Sequence, residues 1–361
     1  MATNLGIYIH VPFCNGKCAY CDFVSGVYTD EIKEAYFLQL QKEIASFNFD
    51  GYMVDSVYFG GGTPSSVNAE YVARTLDKIK NIARGAEITV ECNPESFDAQ
   101  KARIYAASGV NRISFGMQVA NDKILSAIGR RHTVDKFLSA AGIAKEYFDD
   151  ISADIMLGLP KQTEKDVEDA VSFAAAHVRH ISVYALKVED GTPLQASGYK
   201  PDDDIAADFY DLACARLNKL GYNRYEVSNF ALDGSECRHN IKYWNLDEYK
   251  GFGVAAHSYI VGCRTENTPS LVDYLNGRTV IESREIIRGS AEDAEEFIML
   301  ALRTREGIDL NKFAARFGYR LETEKKEVIS EYPQHLIVRG GSLTLAGGAY
   351  YLMNKLILEL I

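Results

Sequence analysis

The chain has 361 residues, of which 47% are apolar and 25% are charged, a composition typical of globular proteins. Its net charge of −11 argues against nucleic acid as a partner, because nucleic-acid binding needs a basic face. No run of about 18 uncharged apolar residues occurs, and the amino terminus lacks the basic segment of a secretory signal. We therefore expect a cytoplasmic protein that is not an integral membrane protein.

The first 220 residues alternate between strand-like and helix-like segments. Strands are predicted at 6–11, 54–59, 87–91, 112–117, 151–156 and 180–186. Helices are predicted at 30–47, 68–82, 98–107, 122–128, 134–146, 164–177 and 203–220. Such alternation is typical of parallel strands joined by crossover helices. Six units are too few for the common eight-fold barrel, which leaves a partial (β/α)6 barrel or an open, doubly wound sheet.

The regular alternation stops after residue 221. The stretch 222–260 is rich in Tyr, Asn, Gly and His, and a helical pattern resumes near residue 290. Residues 335–346 predict a β-hairpin that turns at Gly340-Gly341. We therefore predict three parts: a barrel core over 1–222, an extension over 223–288, and a mostly helical, winged-helix-like module over 289–361.

Three of the seven cysteines lie within eight residues, directly after the first predicted strand. Cys14, Cys18 and Cys21 follow the spacing C-x3-C-x2-C. Thiolates are the preferred ligands of iron–sulfur clusters and also of zinc. A structural zinc site normally needs four ligands, and no second C-x2-C pair occurs in the chain. Three thiolates can hold three irons of a cubane cluster and leave the fourth open. Buried structural cysteines, a zinc site and a Cys18/Cys21 redox pair remain as alternatives.

Polar residues follow the other predicted strands at their carboxyl ends. A glycine-rich loop, Gly60-Gly61-Gly62-Thr63, ends the second strand, and Glu91 ends the third. The remaining strands and loops add Gln118, Arg130, Asp154, Tyr184 and Ala185. The carboxyl ends of parallel barrel strands form one active-site face, whereas an open sheet gathers its ligand residues at one switch point. Contributions from successive strands therefore favour the partial barrel.

The cysteine spacing, with the aromatic Tyr20 before the last cysteine, resembles the radical S-adenosylmethionine superfamily. The resemblance implies a [4Fe-4S] cluster on Cys14, Cys18 and Cys21. It also implies that the open iron binds S-adenosylmethionine, whose reductive cleavage gives a 5′-deoxyadenosyl radical. Residues implied to contact or pack beside S-adenosylmethionine are Tyr8, Tyr20, Gly61, Gly62, Thr63, Glu91, Gln118, Arg130, Asp154 and Ala185.

Within the superfamily, the motifs IYIHVPFC, FGGGTPS, ECNPES, RISFGMQ and DIMLGLP resemble the oxygen-independent coproporphyrinogen III oxidase family. That family includes true oxidases and a sister branch of heme chaperones, the HemW branch. The oxidases carry a fourth cysteine where this chain has Phe23, and a longer arm before the cluster, where this chain has 13 residues before Cys14. The HNxxYW motif at His239–Trp244 resembles the chaperone branch. One departure is AAHS, where the family usually has a Gly before AHS.

The resemblance implies that heme is a cargo handed to an acceptor hemoprotein, for which a membrane respiratory protein is one candidate. His239 is a candidate axial ligand of the iron, and Tyr243 and Trp244 could stack on the porphyrin. Further candidates are Arg224, Arg238 and Lys242 for the propionates, and His257 and Cys237 as weaker iron ligands. Cys92, Cys214 and Cys263 are expected in the core. Two questions stay open, namely whether the chain forms a homodimer and whether it is an enzyme. The alternative function is coproporphyrinogen III oxidation.

Overall fold

A computed structural model of the chain describes residues 2–346 and 349–361. Its centre is a run of six parallel strands in sequential order. They are β1 (Thr3–Val11), β2 (Tyr52–Gly61), β3 (Ile82–Cys92), β4 (Arg112–Gln118), β5 (Asp150–Leu157) and β6 (His180–Ala185). The predicted partial (β/α)6 barrel is confirmed.

Helices connect these strands and cover their outer face. They are α1 (Asp30–Ser46), α2 (Ala69–Leu76), α3 (Ala99–Ala107), α4 (Asp122–Ala127), α5 (Val134–Lys145), α6 (Glu164–Ala175), α7 (Pro193–Ala196) and α8 (Asp203–Lys219). Most begin at a side-chain cap, such as Asp98 for α3 and Thr163 for α6, because the first helical N–H groups need acceptors. The prediction of a helix to residue 82 was wrong. Helix α2 ends at Leu76, and the strand predicted at 87–91 already begins at Ile82.

Alternation along the strands separates an apolar outer face from a polar interior. In β1, Leu5, Ile7 and Ile9 are fully buried beneath the helices, while Tyr8 and His10 point to the other side, as the period of two requires. The same alternation in β2 to β6 directs Ser56, Tyr58, Thr89, Ser114, Glu91, Ser152, Asp154 and Ser182 inward. The barrel lumen is therefore lined by hydroxyl and carboxyl groups.

The stretch after residue 221, where the alternation stops, extends the sheet at both edges. Strands β7 (Asn223–Arg224) and β8 (Asn229–Ala231) pair antiparallel beside β6. Strand β9 (Tyr249–Phe252) pairs parallel with β1, and the antiparallel strands β10 (His257–Ile260), β11 (Cys263–Asn267) and β12 (Val280–Glu285) follow it. Helices α9 (Arg238–Trp244) and α10 (Leu271–Leu275) lie between them in sequence.

The carboxyl-terminal module has its own apolar core, built around Ile298, Leu302, Phe313 and Leu343. Its elements are α11 (Ala291–Ala301), β13 (Ile308–Asp309), α12 (Leu310–Phe317), α13 (Leu321–Glu324), α14 (Lys326–Glu331), β14 (Leu336–Arg339), β15 (Ser342–Leu345) and α15 (Met353–Leu360). The predicted hairpin is confirmed, and Gly340 and Gly341 both have positive φ, at 61° and 86°, as a two-residue primed turn requires. Across the described residues, no helix is both long enough and apolar enough to span a bilayer.

Candidate cluster and S-adenosylmethionine site

The three motif cysteines lie in one loop at the carboxyl end of β1. All three are partly exposed and none forms a disulfide. The base of the loop is closed by backbone hydrogen bonds from Cys14 N to Gly26 O (2.9 Å) and from Gly26 N to Pro12 O (3.0 Å). His10 lies beneath the loop, with Nε2 2.9 Å from Val24 O. These contacts hold the thiols at the barrel mouth.

The three thiols lie in one loop beside a cationic side chain. In a cubane cluster each thiolate binds a different iron. Arg130 places Nη1 3.6 Å from Cys18 Sγ, which provides positive charge beside a thiolate ligand. The residues present therefore fit a [4Fe-4S] cluster.

The glycine loop after β2 packs directly against the root of the cysteine loop. A Cβ on Gly62 would lie 2.8 Å from both Val11 O and Phe13 O, and Gly62 N donates to Val11 O at 2.9 Å. Thr63 N donates to Phe13 O, and Thr63 Oγ1 lies 3.5 Å from Cys14 Sγ. Because Gly62 has no side chain, the glycine loop can pack directly against the root of the cysteine loop. This contact helps to position the cysteines.

Two partly buried carboxyl groups face each other inside the lumen. Burial raises the pKa of Glu91 to about 7, and the nearby charge of Asp154 adds to the rise. Burial likewise raises the pKa of Asp154 to about 6. Tyr58 donates to Glu91 Oε1 at 2.8 Å, and the Tyr184 hydroxyl lies 3.4 Å from Asp154 Oδ1. Such carboxylates suit a cationic or hydroxyl-bearing ligand, because either would offset the cost of their burial.

Gln118 and Arg130 bring polar groups to the same end of the barrel. Gln118 has φ +67°, a conformation that is uncommon for a residue with a Cβ and often marks functional sites. Its Oε1 and the Nε of Arg130 are buried without a hydrogen-bond partner in the described residues. Arg130 Nη2 donates to Asn93 Oδ1 at 2.7 Å and also to Gly116 O. Unsatisfied buried polar atoms carry a cost that a polar ligand would relieve.

The remaining predicted contacts border this region. Tyr8 stacks on Tyr58 with ring centroids 6.4 Å apart, and Tyr20 packs with the apolar cluster under the cysteine loop. Ala185 is the last residue of β6 and is exposed. Sequence reasoning missed His10, Tyr58 and Asn93. His10 stands inside the IYIHVPFC motif, which could have drawn attention to it.

The HNxxYW motif forms α9, which closes the lumen at the other end of the barrel. His239 is 1% exposed. Its Nδ1 lies 2.9 Å from Ser56 Oγ and its Nε2 lies 2.8 Å from the Tyr243 hydroxyl, while its ring stacks on Tyr58 at 5.2 Å. Burial lowers the pKa of His239 to about 3, so the ring is neutral. Both nitrogens are engaged, and this geometry does not support His239 as a ligand to heme iron.

The other heme candidates are dispersed. Lys242 Nζ pairs with Asp55 at 2.8 Å, and Cys237 is buried against Glu87. Arg224 lies 3.4 Å from the Tyr350 ring centroid in the carboxyl-terminal module, and His257 is exposed in β10. Only Arg238 and Trp244 border a common cavity. Of the three cysteines that were expected in the core, Cys92 is buried, whereas Cys214 and Cys263 are partly exposed.

Comparison with known proteins first defines the class. Residues 8–174 match the family model of the radical SAM superfamily, and residues 290–351 match the HemN C-terminal domain. The fold is also similar to that of a solved structure described as coproporphyrinogen III oxidase (HemN) from Escherichia coli, a radical SAM enzyme. The TM-score is 0.86 at 20% identity, covering 99% of this chain and 90% of that one. The chain is a radical SAM protein, a class that carries a [4Fe-4S] cluster and S-adenosylmethionine.

Curated relatives then identify the particular family. Heme chaperone HemW of Bacillus subtilis is 34% identical, with 87% of each chain covered. HemW of Lactococcus lactis is 36% identical over 90% of this chain and 88% of the relative. HemW of Mycobacterium tuberculosis strain H37Rv is 34% identical over 99% of this chain and 94% of the relative. The chain belongs to the HemW heme chaperone family.

Proposed function

We propose that this protein is a cytoplasmic heme chaperone, which binds heme and transfers it to an acceptor hemoprotein. The single observation that carries the proposal is family membership, at 34–36% identity over most of the chain to three proteins named heme chaperones. The proposal takes the acceptor to be a hemoprotein, with a membrane respiratory protein as a candidate, and allows a homodimer as the working form.

In this proposal the barrel mouth holds the cluster and S-adenosylmethionine. Cys14, Cys18 and Cys21 supply three thiolates, and the iron corner without a protein thiolate supplies the binding position for the amino acid part of S-adenosylmethionine. Glu91 and Asp154 are proposed to accept hydrogen bonds from its ammonium or ribose groups. Gln118 and Arg130, with their unsatisfied atoms, are proposed to meet its ribose or carboxylate. Tyr8, Tyr20, Gly61, Thr63 and Ala185 are proposed to border it.

The alternative is radical oxidation of coproporphyrinogen III. It is supported by the fold shared with the Escherichia coli enzyme. Against it stands Phe23, whose side chain is 65% exposed beside the cluster loop where the oxidases carry a fourth cysteine. Phenylalanine lacks the thiol that the oxidases carry at this position. We therefore favour the chaperone.

One experiment separates the two functions. The cluster is reconstituted without oxygen, and coproporphyrinogen III, S-adenosylmethionine and reductant are supplied. We expect no protoporphyrinogen, and its appearance would overturn the chaperone proposal. In parallel, the protein is titrated with heme, followed by its Soret absorbance, and the loaded protein is mixed with an apo-hemoprotein. Transfer should be faster than from free heme; equal rates would contradict a chaperone role.

A further inference from the structure

A large cleft lies at the end of the barrel opposite to the cysteines, with a volume of about 1530 Å³. One wall is formed by the segments that enter β4 and β5, including Ala106, Val110 and Tyr147. The second wall is the outer face of α9, and the third comes from α11 and α12 of the carboxyl-terminal module. The cleft therefore exists only because the module is docked on the barrel.

Helix α9 separates this cleft from the lumen. Its residues Arg238, Ile241 and Trp244 border the cleft. The opposite face carries His239, which contacts Ser56 and Tyr58 in the lumen. Positions three apart share one face of a helix. In the HNxxYW motif, Trp244 therefore faces the cleft and His239 faces the lumen. A ligand in the cleft is kept away from the cluster.

The size and the walls of the cleft select the ligand. Pockets for drug-sized ligands measure roughly 300–1,000 Å³, so this cleft suits a larger molecule. Its lining mixes aromatic rings with charged side chains. The aromatic rings are Tyr147, Phe148, Tyr225, Trp244 and Phe297. This combination fits a broad, flat ligand that is apolar on its faces and charged at one edge.

The charged side chains that line the cleft determine where the charged edge of such a ligand would lie. Several lining carboxylates are already used within the fold. Glu87 accepts from the backbone N–H groups of Arg238 and His239 at 2.9 Å, and Asp150 pairs with Arg112 at 3.0 Å. In contrast, Arg288 is exposed and forms no ion pair within the described residues. Arg238 is also largely exposed, with its carboxylate partner 3.9 Å away. These guanidinium groups can bind carboxylates of a ligand.

From these observations we propose that this cleft is the cargo site, in which a tetrapyrrole packs against Trp244 and directs its propionates toward Arg238 and Arg288. The inference rests on the proposed heme chaperone function and names its binding site. It also gives a physical reason for a chaperone within a radical fold, since α9 stands between the tetrapyrrole and the reacting end of the barrel. His239 supports the barrier and does not touch the cargo.

The test fills the cleft and follows heme binding by Soret absorbance in the cluster-loaded full chain. Ala315 borders the cleft and is exposed on α12, while Ala291 is exposed at the start of α11 outside it. We expect Ala315→Trp to weaken heme affinity at least about 10-fold and Ala291→Trp to leave it unchanged. Arg288→Glu should weaken it several-fold, while Arg278→Glu, at an exposed arginine that does not line the cleft, should not.

The arginine variants alter only exposed side chains, so they are expected to fold. A second filling variant, Ala106→Trp, places a bulky ring in the cleft from the barrel wall. Circular dichroism and cluster absorbance confirm that each variant is folded. If wild type binds heme and the cleft variants bind it equally well, the cleft proposal is overturned while the chaperone proposal stands. If the wild-type protein binds no heme at all, both the cleft proposal and the chaperone proposal are contradicted. Loss in the cleft variants alone supports the site.

Discussion

We expect the buried Glu91 carboxyl group to lower the stability of the folded protein when it is ionised, although it strengthens the binding of S-adenosylmethionine. Its pKa rises from an ordinary value of 4.5 to about 7 in the folded protein. A pKa difference of one between the folded and unfolded states corresponds to about 1.4 kcal/mol, so the ionised group destabilises the fold by up to about 3 kcal/mol. Partial exposure of Glu91 to water in the lumen reduces this figure, and we expect about 1–3 kcal/mol.

The sign follows from proton binding. Below pH 4.5 both folded and unfolded states hold the proton, and no penalty exists. As the pH rises toward 7, the unfolded state releases its proton first, so stability falls until both states are ionised. Glu91→Gln removes this dependence and keeps an oxygen that can accept from Tyr58. The variant should therefore exceed wild type in stability at about pH 8, by about 2 kcal/mol more than at about pH 5.

The assay is urea unfolding of iron-free wild type and Glu91→Gln at both pH values, with exposed Asp50 as the control site through Asp50→Asn. In the cluster-loaded protein, the same Glu91→Gln change should weaken S-adenosylmethionine binding about 10-fold or more, since a charged hydrogen bond is worth about 1.5–3 kcal/mol. Equal stability differences at the two pH values would refute the proposed burial cost. Unchanged affinity would remove Glu91 from the ligand contacts.

Three further predictions concern the cluster and the end of the barrel that α9 closes. Cys18→Ala should abolish iron–sulfur absorbance after anaerobic reconstitution, whereas Cys214→Ala should keep it; full absorbance in Cys18→Ala would contradict the ligand assignment. Gly62→Ala should lower both the melting temperature and the cluster content, because a Cβ meets backbone oxygens at 2.8 Å, while Gly142→Ala, in an open helical position, should be neutral or stabilising. His239→Ala should cost about 1–3 kcal/mol of stability through lost buried hydrogen bonds but leave the Soret spectrum of bound heme unchanged, and a shifted band would restore His239 as an iron ligand.

The sequence predicted the parts of the fold that depend on local pattern. Apolar runs such as 6–11 and 180–186 are long enough to identify buried parallel strands, and Gly340-Gly341 specifies a turn by its own backbone freedom. Strands β7 and β9 escaped prediction because they have only two and four residues, too few to show a strand pattern. Strand β9 is defined by its pairing with β1, which lies far earlier in the chain. The end of helix α2 was predicted too late because residues 77–82 carry a mixed pattern that does not mark where the chain turns toward β3.

The cysteine spacing, together with its resemblance to the radical S-adenosylmethionine superfamily, predicts a cluster because the three residues lie close together in sequence. A sequence motif does not show whether a side chain is buried, and His239 is an example. Its residue type allows metal binding, but its environment comes from Ser56 and Tyr58, which lie far earlier in the chain. The same limit explains why Asn93, which contacts both Thr63 and Arg130, could be placed at the site only in three dimensions.

The chain contains one tryptophan, and it stands where the barrel and the carboxyl-terminal module meet. Its emission can be excited apart from the 22 tyrosines and needs no attached label. In the cargo-free protein, separation of the module would expose the indole to water and move its emission to longer wavelength, whereas a heme packed against the indole would quench that emission by energy transfer. The protein therefore carries an intrinsic fluorescent reporter that distinguishes an opened module from a loaded cleft.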